Sequence, residues 1–335
     1  MKHQKQAVAG IDISKNTFDI SLRFRGSNEG PHFSSFSNTL KGYDRLTSWL
    51  QNLGLSHSEV LFCLENTGIY HRLLSTYLLG EGAFVWVETP VQIKWSQGLQ
   101  RGKSDKMDAR RIMQYAERHH DQAKAYEEQD RNLQKVADFL SLRSRLMQCI
   151  HTLEVPINEL KAAGLVQQSN ALEQASRQSI AVLKKEFKAL EKKIKDQIAL
   201  DPKLKRLYDL ITSVRCVGFV TATHLMVYTN AFKRFDSAKQ LASFAGIAPF
   251  EYSSGISIRG KTKVHPMANK TLKTILHLCA IRSIKDNPEL QAYFKRKVAE
   301  GKNKMLVINA IRNKVLQRIF VCVKNNREYI PVYTG

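Results

Sequence analysis

The sequence predicts an α/β amino-terminal domain, a central pair of long helices, and a mainly helical carboxy-terminal domain carrying one small β-hairpin. Three observations predict it. Short apolar runs ending in acids alternate with helical patterns over residues 1–129, an apolar three-four repeat occupies 130–200, and basic helical patterns broken by a Ser-Gly turn fill 201–335.

The first stretch, Val8–Ile20, reads as a buried strand ending in Asp12, a tight turn at Ser14 to Asn16, and a second strand running back beside the first. A carboxylate at the end of an apolar strand is costly unless a cation, a proton or hydrogen bonds compensate it. Asp12 therefore either ligates a metal or caps the turn that follows it. His32 to Ser37 forms a third strand, and Lys41 to Leu53 a helix with Leu46, Trp49, Leu50 and Leu53 on one face. Val60 to Leu64 is a fourth strand that delivers Glu65 at its end, repeating the Asp12 arrangement. Asn66-Thr67-Gly68 opens a helix whose Tyr70, Leu73, Leu74, Tyr77 and Leu78 are spaced for burial, and Ala83 to Val87 is a fifth strand. Three strands, helix, strand, helix, strand, helix is the succession of the ribonuclease H fold.

Ser104 is a suitable N-cap, which puts Asp105 and Asp108 in the first turn of a helix on one face. Two acids so placed either answer the helix dipole or share a cation. Leu133, Val136, Leu140, Met147 and Ile150 then form a broken stripe up to Pro156. Ile180, Leu183, Phe187, Leu190 and Ile194 form a clean one, the mark of a helical hairpin or coiled coil. Leu207 to Thr229 reads as two helices joined at Arg215-Cys216-Val217-Gly218, and Phe235 to Pro249 as a capped helix ending at Gly246. Tyr252 to Lys263 is a polar hairpin with small residues at its turn and Arg259, Lys261 and Lys263 on the outgoing strand. Basic helices close the chain, with Lys295, Arg296, Lys297, Lys302, Lys304, Arg312, Lys314 and Arg318 suited to phosphate contacts.

Composition narrows the partners. Across 335 residues, 52 Lys and Arg stand against 30 Asp and Glu, a formal charge of +22 that favours a polyanion. No amphipathic tail, lipidation signal or apolar run of spanning length points to a membrane. Met-Lys-His-Gln-Lys leads straight into the first strand with no secretory signal, so a cytoplasmic, nucleoid-associated protein of a prokaryote is expected. Five scattered cysteines, none in a CxxC pair, argue against structural zinc or a disulfide framework.

These motifs together resemble the DEDD-type insertion-sequence transposases, the family that also contains the Piv site-specific DNA invertases. The carriers are Gly10-Ile11-Asp12, Glu65-Asn66-Thr67-Gly68, Ser104 to Arg110, Gln240 to Pro249 and Tyr252 to Gly260, in family order over nearly the whole length. The resemblance implies a RuvC-like (ribonuclease H fold) domain in which Asp12, Glu65, Asp105 and Asp108 are the DEDD acids. These would hold Mg²⁺, as a pair of ions that Mn²⁺ can replace. It implies a nucleophilic serine in the second domain, at Ser254, with Ser253 and Ser257 close by. Where the family reads Pro-Gly-Ile-Gly between two helices, this chain reads Arg215-Cys216-Val217-Gly218. The implied partners are double-stranded DNA at donor and target sites and further copies of the chain, as a dimer or tetramer. A structured bridging RNA, used by some members, is an optional guide.

The implied reaction is strand breakage and rejoining through a phosphoserine link, with Arg259, Lys261 and Lys263 charged to steady the phosphate or simply forming a solvated face. Three other readings stay open. A RuvC-type nuclease would use water and leave Ser254 idle, and a basic DNA-binding protein on a degenerate nuclease fold would need none of the acids. A sugar kinase would need a second, Gly-rich phosphate loop that the sequence does not contain.

Overall fold

The computed structural model describes residues 5–66, 68–96, 98, 102, 104–254, 258–264 and 268–330, with the backbone alone for 250–254 and 258–264. The chain divides into two compact units, 1–128 and 129–335.

The first unit is built on a sheet in the order β3-β2-β1-β4-β5, from β1 (Ala7–Ile13), β2 (Thr17–Phe24), β3 (His32–Ser37), β4 (Val60–Glu65) and β5 (Phe84–Glu88). β1 pairs antiparallel with β2 and parallel with β4, so the strand that ends in Asp12 is the central one. A central strand is covered on both faces, which is why β1 reads as an almost continuous apolar run. Its odd positions, Ala7, Ala9, Ile11 and Ile13, pack with Phe18, Ile20, Phe62 and Leu64 beneath α1 (Leu40–Asn52) and α2 (His71–Gly80) through Tyr43, Leu46, Leu50, Leu74 and Leu78. Its even face belongs to a second cluster in which Val8, Leu61, Cys63 and Trp86 meet Ile93 of α3 (Pro90–Trp95) and Ile112, Tyr115 and Ala116 of α4 (Asp105–Arg118). Alternation alone therefore sends Gly10, Asp12 and Glu65 to the α4 side of the sheet.

One expectation needs correction. Tyr70 and Leu73 are exposed, at 39% and 69%. α2 begins at His71, and its inward face is His71, Leu74, Ser75 and Leu78, so Leu73 falls on the opposite side of the helix.

The second unit opens with an antiparallel hairpin of α5 (Arg131–Ala162), which runs on through Pro156, and α6 (Val166–Ala199). It is clasped by Arg143 to Glu191 at 2.7 Å, Lys184 to Glu154 at 2.5 Å and Gln197 to Asn132 at 2.9 Å. The base of the hairpin, through Leu133, Val136, Leu140, Ile194 and Ile198, shares one core with the remaining helices. These are α7 (Pro202–Thr212), α8 (Phe219–Tyr228), α9 (Ala238–Phe244), α10 (Lys270–Asp286), α11 (Pro288–Ala299) and α12 (Lys304–Lys324), and between α9 and α10 stands the hairpin of β6 (Pro249–Ser254) and β7 (Ile258–Val264). Among the described residues no helix is long and apolar enough to cross a membrane.

Between α7 and α8, Cys216 holds φ at +69°, the left-handed conformation that glycine adopts without penalty. The resemblance drawn from the sequence implies glycine at this position.

Two outcomes are expected. A methyl group on Gly10 would lie 2.0 Å from the backbone nitrogen of Met113, whereas one on Gly80 meets nothing within 4 Å. Gly10→Ala should therefore cost about 3 kcal/mol or more in urea denaturation, and Gly80→Ala should be neutral or slightly stabilising. Cys216→Gly should raise stability by about 1 kcal/mol in the same measurement, relief of the left-handed strain outweighing the added freedom of the unfolded chain.

Candidate active site

The site is assembled on the even face of β1. Gly10 allows the backbone of α4 to lie directly on the strand: a Cβ there would also come within 2.5 Å of the Ala109 carbonyl oxygen. Two residues further along the strand comes Asp12, and one turn back along the helix come Asp108 and Asp105. The helix start is fixed by Ser104, whose Oγ accepts from the Met107 amide at 3.3 Å. Ile11 pairs with Leu64, so Glu65 follows on the neighbouring parallel strand just as Asp12 follows on β1. The turn after Asp12 is held by Asn38, whose side-chain amide donates to the Ser14 carbonyl at 3.1 Å and whose oxygen accepts from Tyr43 Oη at 2.6 Å.

The electrostatics report the convergence. Burial pushes the Asp12 carboxyl up to about 6, and the negative charges of Asp108, Glu65, Asp105 and Asp19 push it the same way. Asp19, directly opposite Asp12 in the β1–β2 register, is raised by burial and by Asp105, against a hydrogen bond from Ser35 that lowers it. One counter-charge is fixed nearby: Arg111 donates from Nη1 to Asp108 at 2.6 Å and from Nη2 to the Gly102 carbonyl at 2.9 Å. Lys106, by contrast, lies over the Phe33 ring, 5.0 Å from its centre.

All four sequence-predicted acids of the first unit thus belong to one field of negative charge. Two further acids were missed. Asp19 was legible from the tight turn, which pairs Ile13 with Phe18 and hence residue 12 with residue 19. Glu88 ends β5 opposite Glu65, the third apolar strand to finish on an acid. Its carboxylate accepts from the Thr89 amide at 2.7 Å and Tyr115 Oη at 3.3 Å, and burial together with Glu88 raises the Tyr115 phenol.

Hard oxygen donors with surplus negative charge suit a divalent cation. Among the described residues, however, no three His, Cys, Asp or Glu side chains stand ready to hold an ion between them.

In the second unit Ser254 ends β6, paired with Ile258, and Ser253 lies opposite Arg259. Lys261 and Lys263 are on β7, and Lys263 pairs with Phe250. Ser257 lies outside the described residues, as do Gly255, Ile256 and Thr67. The root of the hairpin is anchored where Asn309 Nδ2 donates to the Ile247 carbonyl at 2.8 Å. There Gly246, at φ +67°, lies so close to Ala268 that a Cβ would come within 2.2 Å of it.

Comparison with known proteins accounts for both units. Residues 9–162 match the IS110-type DEDD transposase domain, and residues 208–295 match the transposase family IS116/IS110/IS902. The pilin gene-inverting proteins of Moraxella bovis and Moraxella lacunata are each 28% identical over 324 residues, spanning 96% of this chain and 96% of their own. An insertion element IS110 protein of Streptomyces coelicolor is 28% identical over 151 residues, 45% of this chain and 36% of its own. Both units thus carry transposase-family domains of the IS110/IS116 type, and over its full length the chain is similar to the pilin gene-inverting proteins.

Proposed function

We propose that the protein is a DNA recombinase that breaks and rejoins strands through a phosphoserine link, with its first unit a RuvC-like domain. The observation that carries this reading is the gathering of Asp12, Glu65, Asp105 and Asp108 into one negative field, in a chain both of whose units match transposase domains.

In this reading the four acids would hold Mg²⁺, two ions in all. Such ions, when bound, neutralise a phosphodiester and ease loss of a proton from a nearby hydroxyl. The chain's own residues do the rest. Ser254, at the tip of β6, is presented to the acids within one polypeptide or across two. Its Oγ attacks phosphorus as the bond to the leaving deoxyribose oxygen breaks, and the hydroxyl proton ends on that oxygen. A hydroxyl from a new strand reverses the exchange, so the phosphodiester energy is conserved and no nucleotide cofactor is needed. Arg259, Lys261 and Lys263 steady the phosphate from β7, and the net charge of +22 draws in donor and target duplexes. A structured guide RNA is compatible with the same charge and rests on the family resemblance alone.

Of the two recombination outcomes, inversion has one specific observation in its favour. The gene-inverting relatives match over 96% of both chains, whereas the insertion-element protein matches over 45% of this one.

Two experiments test the reading. Denaturing electrophoresis of reactions with labelled DNA from the flanks of the gene should show a protein–DNA adduct. Ser254→Ala should abolish it, whereas an adduct that persists there, or cleavage with no adduct at all, rejects Ser254 as the nucleophile. In thermal melts near pH 7.5, Mg²⁺ or Mn²⁺ should raise the midpoint of the wild-type protein and not of Asp12→Asn. Without divalent ions Asp12→Asn should be at least as stable as wild type, because a neutral amide replaces a carboxylate its neighbours repel.

A further inference from the structure

Arg312 of α12 is only 6% exposed, yet among the described residues it has no carboxylate partner. Its surroundings make this unusual. Arg143 pairs with Glu191, Arg206 with Glu328 and Arg318 with Glu289, although all three are less deeply buried. Arg312 instead donates from Nη2 to Nδ1 of His277 on α10 at 2.5 Å and from Nη1 to Asn309 Oδ1 at 3.4 Å, and its Nε has no partner. A buried cation with no counter-charge is unfavourable by several kcal/mol, and an apolar side chain in its place would often be as stable or more so.

The pairing fixes the chemistry of the histidine. A guanidinium only donates, so Nδ1 must accept, the ring is neutral, and its proton sits on Nε2 at the far corner. Burial and the adjoining Arg312 charge both hold His277 below its ordinary value, in keeping with that form. His277 is itself only partly buried, and Lys273, one turn earlier on α10, reaches the edge of Gly246. Asn309 joins the same group to the root of β6 through the Ile247 carbonyl. A fixed N–H donor thus stands beside a buried positive charge, an amine follows one turn away on the same face of α10, and Asn309 ties the group to the segment that leads into β6.

We propose that Lys273 and His277 form a phosphodiester-binding site at the root of the β6–β7 hairpin, with Arg312 behind them as a positioning residue. One phosphate of a nucleic-acid strand accepts from His277 Nε2–H and from the Lys273 amine, and Arg312 holds the tautomer while supplying charge from a poorly screened position. The choice of a nucleic acid as the source of the phosphate rests on the recombinase reading. The site itself rests on the orphaned guanidinium.

The test is duplex binding by the full chain without divalent ions, followed by fluorescence anisotropy with a labelled duplex of arbitrary sequence over a range of NaCl. Arg312→Met and His277→Phe should each weaken binding by about tenfold at low salt. Arg312→Met should also flatten the plot of log affinity against log salt by about one unit, His277→Phe, which removes a neutral donor, should flatten it by less, and the double variant should lose no more affinity than Arg312→Met alone. Arg312→Met should keep or raise the thermal midpoint, which a purely structural role would lower. Unchanged affinity and slope in both variants overturns the proposal. Loss of affinity that merely follows a lowered midpoint overturns it too. Inorganic phosphate that binds wild type but not Arg312→Met, with duplex affinity equal in the two, overturns the nucleic-acid source in favour of a free anion. Since no strand is cut under these conditions, failure here leaves the serine chemistry standing, and failure of that chemistry leaves this result readable.

Discussion

The first unit depends on one close approach: the backbone of α4 resting on the backbone of β1 at Gly10, with no side chain between them. The helix acids of the site take their position beside the strand ends from that contact. It sets how far along the strand the helix starts, and hence that the first turn of α4 arrives beside the end of β1 rather than above its middle. The two strand-end acids are then fixed by sheet register and the two helix acids by the N-cap at Ser104. Sequence-distant carboxylates become neighbours, and the proton affinity of Asp12, raised first by burial, is raised further by their charges.

Such an arrangement is held against its own electrostatics. Asp12 and Asp19 face each other across a hairpin, Glu65 and Glu88 across the next pair of strands, and cross-strand pairs of like charge are destabilising. The apolar clusters on both faces of the sheet supply the stability that this concentration of charge removes. Local hydrogen bonds absorb part of it. Glu88 is fully engaged by Thr89 and Tyr115, and Arg111 satisfies Asp108, which leaves the repulsion centred on Asp12.

Much of this was legible in the residues. Short apolar runs ending on acids located β1 and β4, a Ser cap located α4, and the order of strands and helices followed from where the pattern changed. Less legible was anything that depends on which side of an element faces inward. Leu73 and Tyr70 read as core because an apolar side chain does not say which neighbour covers it, whereas His71, outside that apolar set, is buried. Asp19 and Glu88 were passed over because each seemed an ordinary strand residue until the register set it opposite another acid. In the second unit, charge counting found Arg312 among eight cations and had no means to separate it from the rest. Its burial, and its lack of a carboxylate partner among the described residues, are properties of helix packing between α10 and α12.

The alternation of β1 has a consequence for what the chain can tolerate. Because core and acid share one strand at opposite parities, insertion or loss of a single residue before Asp12 cannot shift the site by a small step. It would turn the carboxylate into the oily layer under α1 and α2 and swing isoleucine out toward α4. Variation in length is therefore confined to the connections, and the geometry of the acids is inherited whole or lost whole.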